Sequence, residues 1–247
     1  MRHTVVVTGG ASGLGYAVAG RFVATGFDVI LLDKDDRGGA AANELGPRCR
    51  FIYCDVSQAR EVEAAMASAA EAANGHIDVL INNAGIQTSG SVTDTSEAVW
   101  DLTLSVNLKG QFLCAKYAIP YMSKDRRPVV INVSSVNGIM SQVNGAAYVT
   151  SKAAILGLTN SIAVDYAPWL RCVAVCPGAI NTPMTQADLA AAPDKEAFMR
   201  EMAGLHLLGR MAEAGEVAAA IFYLASPEAS FITGHYLRVD GGIGLKL

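Results

Sequence analysis

Two rhythms of apolar residues alternate along this chain. One is a short, nearly continuous apolar run of strand length, at residues 4–7, 28–33, 51–54, 78–82, 129–133, 172–176 and 236–239. The other places apolar residues three and four apart, which predicts helices over about 14–25, 61–73, 97–122, 148–168 and 216–224. Gly26, Asn74-Gly75, Pro120 and Pro168 punctuate the helical segments. Strands and helices that take turns in this way build a parallel sheet covered on both faces. The expected fold class is α/β, a doubly wound parallel sheet of about seven strands. No repeat, linker or charge block divides residues 1–247, so one domain is expected. The pattern loosens over 183–208, where Pro183, the Ala190–Ala192 run and Pro193 precede Phe198, Met202 and Leu205 at helical spacing. That stretch reads either as a substrate lid or as a surface helix packed on the core.

Composition narrows the picture. Of 247 residues, 51% are hydrophobic and 17% charged, enough for a large core with a surplus for a subunit interface. A net charge of −4 argues against a nucleic-acid partner. No apolar run approaches the ~18 residues needed to span a bilayer, so no membrane partner is expected. Met1-Arg2-His3-Thr4 leads directly into the first strand and leaves no room for a signal peptide. Five cysteines without a Cys-x-x-Cys pair read as buried thiols of a cytoplasmic protein, and no metal site is expected.

Candidate chemistry concentrates in Tyr148-Val149-Thr150-Ser151-Lys152. Residues four apart share a helix face, so the Tyr148 hydroxyl and Lys152 ammonium can enter one pocket. A phenol titrates near ~10. A cation beside it favours the phenolate and lowers that value toward the working range. Val133-Ser134-Ser135 ends an apolar strand and carries a hydroxyl to the strand's carboxyl end, where open α/β sheets keep their ligands. Adjacent strand residues point oppositely, so only one of Ser134 and Ser135 can face the pocket.

Thr8-Gly9-Gly10-Ala11-Ser12-Gly13-Leu14-Gly15 joins the first strand to the first helix. Glycines there permit a tight turn, and the helix N-terminus offers N–H groups to a pyrophosphate. Asp33 closes the second strand, where a carboxylate can accept ribose hydroxyls and repel a 2′-phosphate, favouring NAD over NADP. Lys34 partly offsets that repulsion, and Asp33 also reads as a loop carboxylate near a helix after Asp36.

Together with Cys54-Asp55-Val56, Asn82-Asn83-Ala84-Gly85, Asn107, Pro177-Gly178, Thr182 and Asp240-Gly241-Gly242, these motifs resemble the short-chain dehydrogenase/reductase family over essentially the whole chain. The resemblance implies a Rossmann-type fold and an NAD-dependent enzyme acting on a secondary alcohol or its carbonyl. It implies that Gly9, Ser12, Gly13, Leu14, Gly15 and Asp33 hold the cofactor. Asp55 and Val56 would meet the adenine, Asn83, Ala84 and Gly85 the cofactor's middle, and Pro177, Gly178, Ile180 and Thr182 the nicotinamide. It implies that Ser135 binds the substrate oxygen, Tyr148 exchanges its proton and Lys152 acidifies Tyr148 and grips the nicotinamide ribose. Asn107 would hold a water linking Lys152 to solvent, or merely cap or kink its long helix.

Pocket residues expected by the same resemblance are Gln87, Thr88, Ser89, Asn137, Met140, Gln142, Val143, Asn144 and the segment 184–206. The amides of Gln87, Asn137, Gln142 and Asn144 suit a hydroxyl-rich substrate, a sugar or polyol, unless they are solvated loop residues. A 3-oxoacyl-carrier reductase is the alternative, with NADP and a basic docking patch at Lys124, Arg126 and Arg127, which also read as a solvated turn. A non-catalytic cofactor sensor is a third reading, although such relatives usually lack the tyrosine or lysine present here. The resemblance further implies a homotetramer, joined through helices 97–122 and 148–168 and the last strand.

Overall fold

The computed structural model describes residues 3–245. Met1 and Arg2, the lead-in read as too short for a leader, lie outside the described residues. The first half of the chain runs β1 (Thr4–Thr8), α1 (Gly13–Ala24), β2 (Asp28–Asp33), α2 (Gly38–Leu45), β3 (Cys49–Tyr53), α3 (Ala59–Ala72), β4 (Val79–Asn82) and α4 (Glu97–Leu104). A π-helical turn (Ser105–Lys109) follows, then α5 (Gly110–Ala118), β5 (Val129–Val133), α6 (Ala146–Tyr166) and β6 (Arg171–Pro177). The remainder comprises β7 (Ile180–Asn181), α7 (Pro183–Ala191), α8 (Lys195–Gly204), β8 (Ala212–Glu213), α9 (Ala214–Ala225) and β9 (His235–Val239).

Seven strands form one sheet in the order β3-β2-β1-β4-β5-β6-β9, and every pair in it is parallel. Strand order reverses between β1 and β4, and that reversal opens a crevice at the strands' carboxyl ends. The central strands β1, β4 and β5 are buried along their whole length and mostly apolar, because both faces are covered. Val6, Leu80 and Val130 face α3, α5 and α6, where Met66, Leu113 and Ile162 meet them. Val5, Val7, Ile81 and Ile131 face the other way, onto Val18 and Phe22 of α1 and Ile221 of α9. Phe22 is fully buried, with edge contacts to the rings of Phe27 and Phe222 at 5.0 and 5.1 Å.

Three departures from the sequence pattern have physical reasons. The third strand begins at Cys49 rather than Phe51, because β3 lies at the sheet's edge and exposes Arg50 and Tyr53. Helix α2 opens with two glycines, poor helix formers, yet a Cβ at Gly38 would reach within 2.2 Å of the Phe51 ring. The helix expected over 97–122 is interrupted at Asn107 by the π-helical turn and ends in a 3-10 turn, Ile119–Tyr121, containing Pro120.

Candidate active site

The glycine-rich turn after β1 is shaped by close approach. Gly9 sits at φ +64°, where a Cβ would also lie 2.9 Å from Ala84 Cα. A Cβ at Gly15 would fall 2.1 Å from Gly9 O, so only glycine lets α1 start directly against the turn. Thr8 Oγ1 accepts the N–H groups of Asn83 and Ala84, each at 3.0 Å. Asn83 Nδ2 donates back to Thr8 O and Gly9 O at 3.0 and 3.1 Å. The turns after β1 and β4 are thereby stitched into one floor. Ser12 precedes α1 in an extended conformation and its side chain makes no capping bond, which leaves the first-turn N–H groups open to an anion.

Asp33 stands at the carboxyl end of β2. Its Oδ2 accepts Ala11 N–H at 3.0 Å and its Oδ1 accepts Asp35 N–H at 3.1 Å. The neighbouring cations are directed elsewhere: Lys34 Nζ lies 3.7 Å from Asp55 Oδ2, and the Arg37 guanidinium pairs with Asp35. Burial alone would raise Asp55, but hydrogen bonds from the Ser57 N–H and hydroxyl, together with Lys34, hold its carboxyl below the usual range.

At the other end of the crevice both serines after β5 touch the cavity, against the expectation that only one would, but their hydroxyls have different partners. Ser134 Oγ donates to Lys152 O at 2.7 Å and ties α6 to the sheet. Ser135 Oγ accepts Asn137 N–H at 3.1 Å and stands with Tyr148 on the cavity wall. Lys152 Nζ donates to Val133 O at 3.1 Å and lies 5.7 Å from the Tyr148 ring centre. Burial lowers Lys152 to about 8. Burial also pushes Tyr148 up, against the opposing influence of the Ser135 hydroxyl. The sequence predicts a phenol lowered by its lysine. In this structure desolvation of the ring outweighs what the Ser135 hydroxyl returns, and both groups are driven toward neutrality.

Asn107 is fully buried in the π-helical turn, an irregularity often found at functional sites. Its amide accepts Ile86 N–H at 2.8 Å and donates to Ile86 O at 2.9 Å and Ser151 Oγ at 3.1 Å. Ser151 in turn donates to Tyr148 O at 2.7 Å. Asn107 therefore joins the turn after β4 to the start of α6.

One cavity of about 970 Å³ connects both ends. Its walls include Gly9, Ser12, Gly13 and Leu14 of the first turn, and Asp33, Asp55 and Val56 beside it. They also include Asn83, Ala84 and Gly85, then Ser135, Tyr148 and Lys152, and Pro177, Gly178, Ile180 and Thr182. Of the expected substrate residues Gln87, Ser89, Asn137, Met140 and Gln142 line it, and Met184, Phe198, Met202 and Leu205 close it from the 183–208 segment. Gly15, Thr88, Asn107, Val143 and Asn144 lie off the wall. Gly15 serves helix packing, and Thr88 bonds Thr103 at 2.9 Å. Asn144 instead adopts φ +57° and accepts Gly90 N–H at 2.8 Å, shaping the turn before α6.

Two contributions carry little signal in the sequence. Ile243 and Gly244 join the wall because Arg238 donates to both the Asp240 carboxylate and Ile243 O, folding the terminal turn back onto Met140. Only the Asp240-Gly241-Gly242 turn signal hints at this. Asn82 donates to Asn132 Oδ1 and Asn132 to Thr159 Oγ1, each at 2.9 Å, anchoring α6 to two strands from inside the core. Asparagines inside apolar runs are the available signal.

A protein-family description, Enoyl-(Acyl carrier protein) reductase, matches residues 9–244. This chain belongs to the short-chain dehydrogenase/reductase family. It is an oxidoreductase of that type, with relatives named as dehydrogenases acting on CH–OH groups. L-fucose dehydrogenase of Oryctolagus cuniculus is 38% identical over 243 residues, 98% of this chain and 84% of that protein. Ligand-free aldohexose dehydrogenase of Thermoplasma acidophilum matches with TM-score 0.91 and 42% identity, over 100% of this chain and 95% of that one. A single-residue variant of actinorhodin polyketide ketoreductase with NADPH matches with TM-score 0.93 and 28% identity, over 99% of this chain and 98% of that one.

Proposed function

We propose that this enzyme oxidises a secondary alcohol of a small hydroxylated compound, a sugar or polyol, with NAD⁺ as hydride acceptor. The observation that carries the reading is the meeting of Ser135, Tyr148 and Lys152 on the wall of a cavity whose far end holds Asp33. The open N-terminus of α1, the close-packed glycine turn and the Asp33 carboxylate fit a dinucleotide. A nicotinamide bound in the cavity supplies the acceptor for hydride from the substrate carbon. Ser135 holds the substrate oxygen, and Tyr148 Oη takes the hydroxyl proton as hydride departs. Lys152 stabilises the phenolate that the proton transfer requires, and Asn107 keeps the Tyr148 turn in register with the Ile86 turn.

NAD is favoured over NADP because Asp33 faces the ribose position while Lys34 and Arg37 are each turned to another carboxylate. Asn137 Nδ2 donates to Gln142 Oε1 at 2.7 Å, so the two lining amides hold each other while Asn137 Oδ1 and Gln142 Nε2 remain to meet substrate hydroxyls. The sugar-dehydrogenase names of two relatives agree with that lining. The carrier-reductase reading is weaker. Arg126 bonds Asp78 at 2.5 and 3.0 Å, Lys124 lies over the Trp169 ring, and both precede β5 at the end of the sheet remote from the cavity.

A homotetramer is supported by exposed apolar side chains on the proposed contact elements, Leu102 on α4, Phe112 on α5, Val164 on α6 and Leu237 on β9. Five unpaired, buried cysteines suit the cytoplasm. The 183–208 segment acts as the substrate lid. Incubating the protein with NAD⁺ and a panel of aldohexoses, pentitols and diols, while following NADH absorbance, tests the reading. NADH formation is expected, slower with NADP⁺. Silence across the panel with NAD⁺ binding intact rejects it in favour of a sensor.

A further inference from the structure

Three parts of the chain meet at His206. Its ring is 2% exposed and lies behind the cavity wall rather than on it. Nε2 accepts the Ala179 N–H at 3.1 Å, and Nδ1 lies 2.8 Å from Met202 O. A backbone N–H can only donate and a carbonyl can only accept, so Nε2 is bare and Nδ1 carries the proton. Both nitrogens of a neutral imidazole are thus committed, one to the end of α8 and one to the turn after β6.

The surroundings are cut to admit this ring. A Cβ at Gly178 would stand 2.7 Å from Nε2, and one at Gly241 3.3 Å from Cδ2. Leu208 N–H donates to Gly241 O at 3.2 Å, fastening the next turn to the same place. Meanwhile α8 has little apolar anchorage, since none of its ten residues is fully buried. Yet Phe198 and Met202 of α8, and Leu205 beside His206, line the cavity together with Gly178 and Ala179.

We propose that His206 is a positioning residue, pinning α8 to the Gly178–Ala179 and Asp240–Gly242 turns and thereby holding the apolar wall over the bound alcohol. The kinetic consequence rests on the alcohol-oxidation reading; the pin itself does not. Without an acceptor for Ala179 N–H, a half-buried donor loses its partner and the wall detaches more often.

The test compares His206→Leu, which fills space without an acceptor, with His206→Gln, whose amide oxygen can take the Nε2 role. Hydrogen exchange is followed with NAD⁺ bound, alongside ADP-ribose affinity and kinetics on the best alcohol of the panel. In His206→Leu, exchange over 195–208 should accelerate about tenfold, with β1 to β6 unchanged and ADP-ribose affinity within about twofold. KM for the alcohol should rise about tenfold with a smaller change in kcat, and His206→Gln should restore both readouts. Wild-type exchange in His206→Leu, acceleration spread evenly over the sheet, or a Gln variant no better than Leu overturns the proposal. Should His206→Leu not fold, His206→Asn, too short to reach Ala179, replaces it under the same criteria. If no alcohol is oxidised, the proposed activity fails while exchange still decides the pin.

Discussion

At the Asp33 end of the cavity, Asp33, Asp35 and Asp55 accept main-chain N–H groups, and Lys34 and Arg37 face two of those carboxylates. At the Tyr148 end, burial works against the charged forms of both the phenol and the amine. The first region is settled before any ligand arrives. The second carries a desolvation cost, and perturbed groups of that kind gather at functional sites. A single cavity therefore joins a hydrogen-bonded, ion-paired end to an electrostatically uphill one.

The sharpest way to break this contrast is Tyr148→Phe. Turnover should fall about 10³-fold, roughly 4 kcal/mol, while NAD⁺ affinity measured by fluorescence titration hardly moves. Retained activity would remove the phenol from the proton transfer. Lys152→Met should also abolish turnover, yet make the folded state more stable at pH 7 by about 1–3 kcal/mol in urea melts, because a buried ammonium is removed. The sign follows from the downward shift from 10.5 to about 8. Below about 8 the folded state bears the full penalty of the charged amine, and between about 8 and 10.5 the unfolded chain holds the extra proton, so wild-type stability rises with pH there. The Met variant should lack that rise. Equal slopes would mean that Lys152 is not the group responsible.

Asp33→Ala acts on the settled end. It should lower the kcat/KM preference for NAD⁺ over NADP⁺ about tenfold, ~1.4 kcal/mol, with kcat for NAD⁺ little changed. A wild-type preference for NADP⁺ would contradict the reading of that carboxylate. The smallest effect separates two amides that look alike in sequence. Gln142→Ala should raise the alcohol KM a few-fold, roughly the loss of one hydrogen bond. Asn144→Ala should leave KM alone and cost about 1 kcal/mol of stability, since alanine tolerates the left-handed backbone poorly.

The contrast also explains what could be read from the chain. The sheet was legible because its central strands are apolar on both faces, and the glycine turn because close approach leaves glycine no substitute at Gly9 and Gly15. The Tyr148 and Lys152 pair was legible because one helical turn fixes it locally. What stayed hidden depends on partners distant in sequence. Ser134 Oγ is committed to Lys152 O and Ser135 Oγ to Asn137 N–H, and Asn144 is drawn off the wall by Gly90. The direction of the Tyr148 shift needed the burial of a ring, which no spacing reveals. Edge exposure blurred β3, and the two-residue strands β7 and β8 are too short to carry a period.

That smallest ladder has an outsized consequence. Ile180 pairs with Ala212 and Asn181 with Glu213, so the chain leaves the body and re-enters it through one narrow neck. The stretch between is held at two places, at this neck and where His206 and Leu208 meet the turns at Ala179 and Gly241. A foreign stretch grafted at that neck would have to bring its own fastening to the terminal turn, or leave the adjoining side of the cavity unsupported.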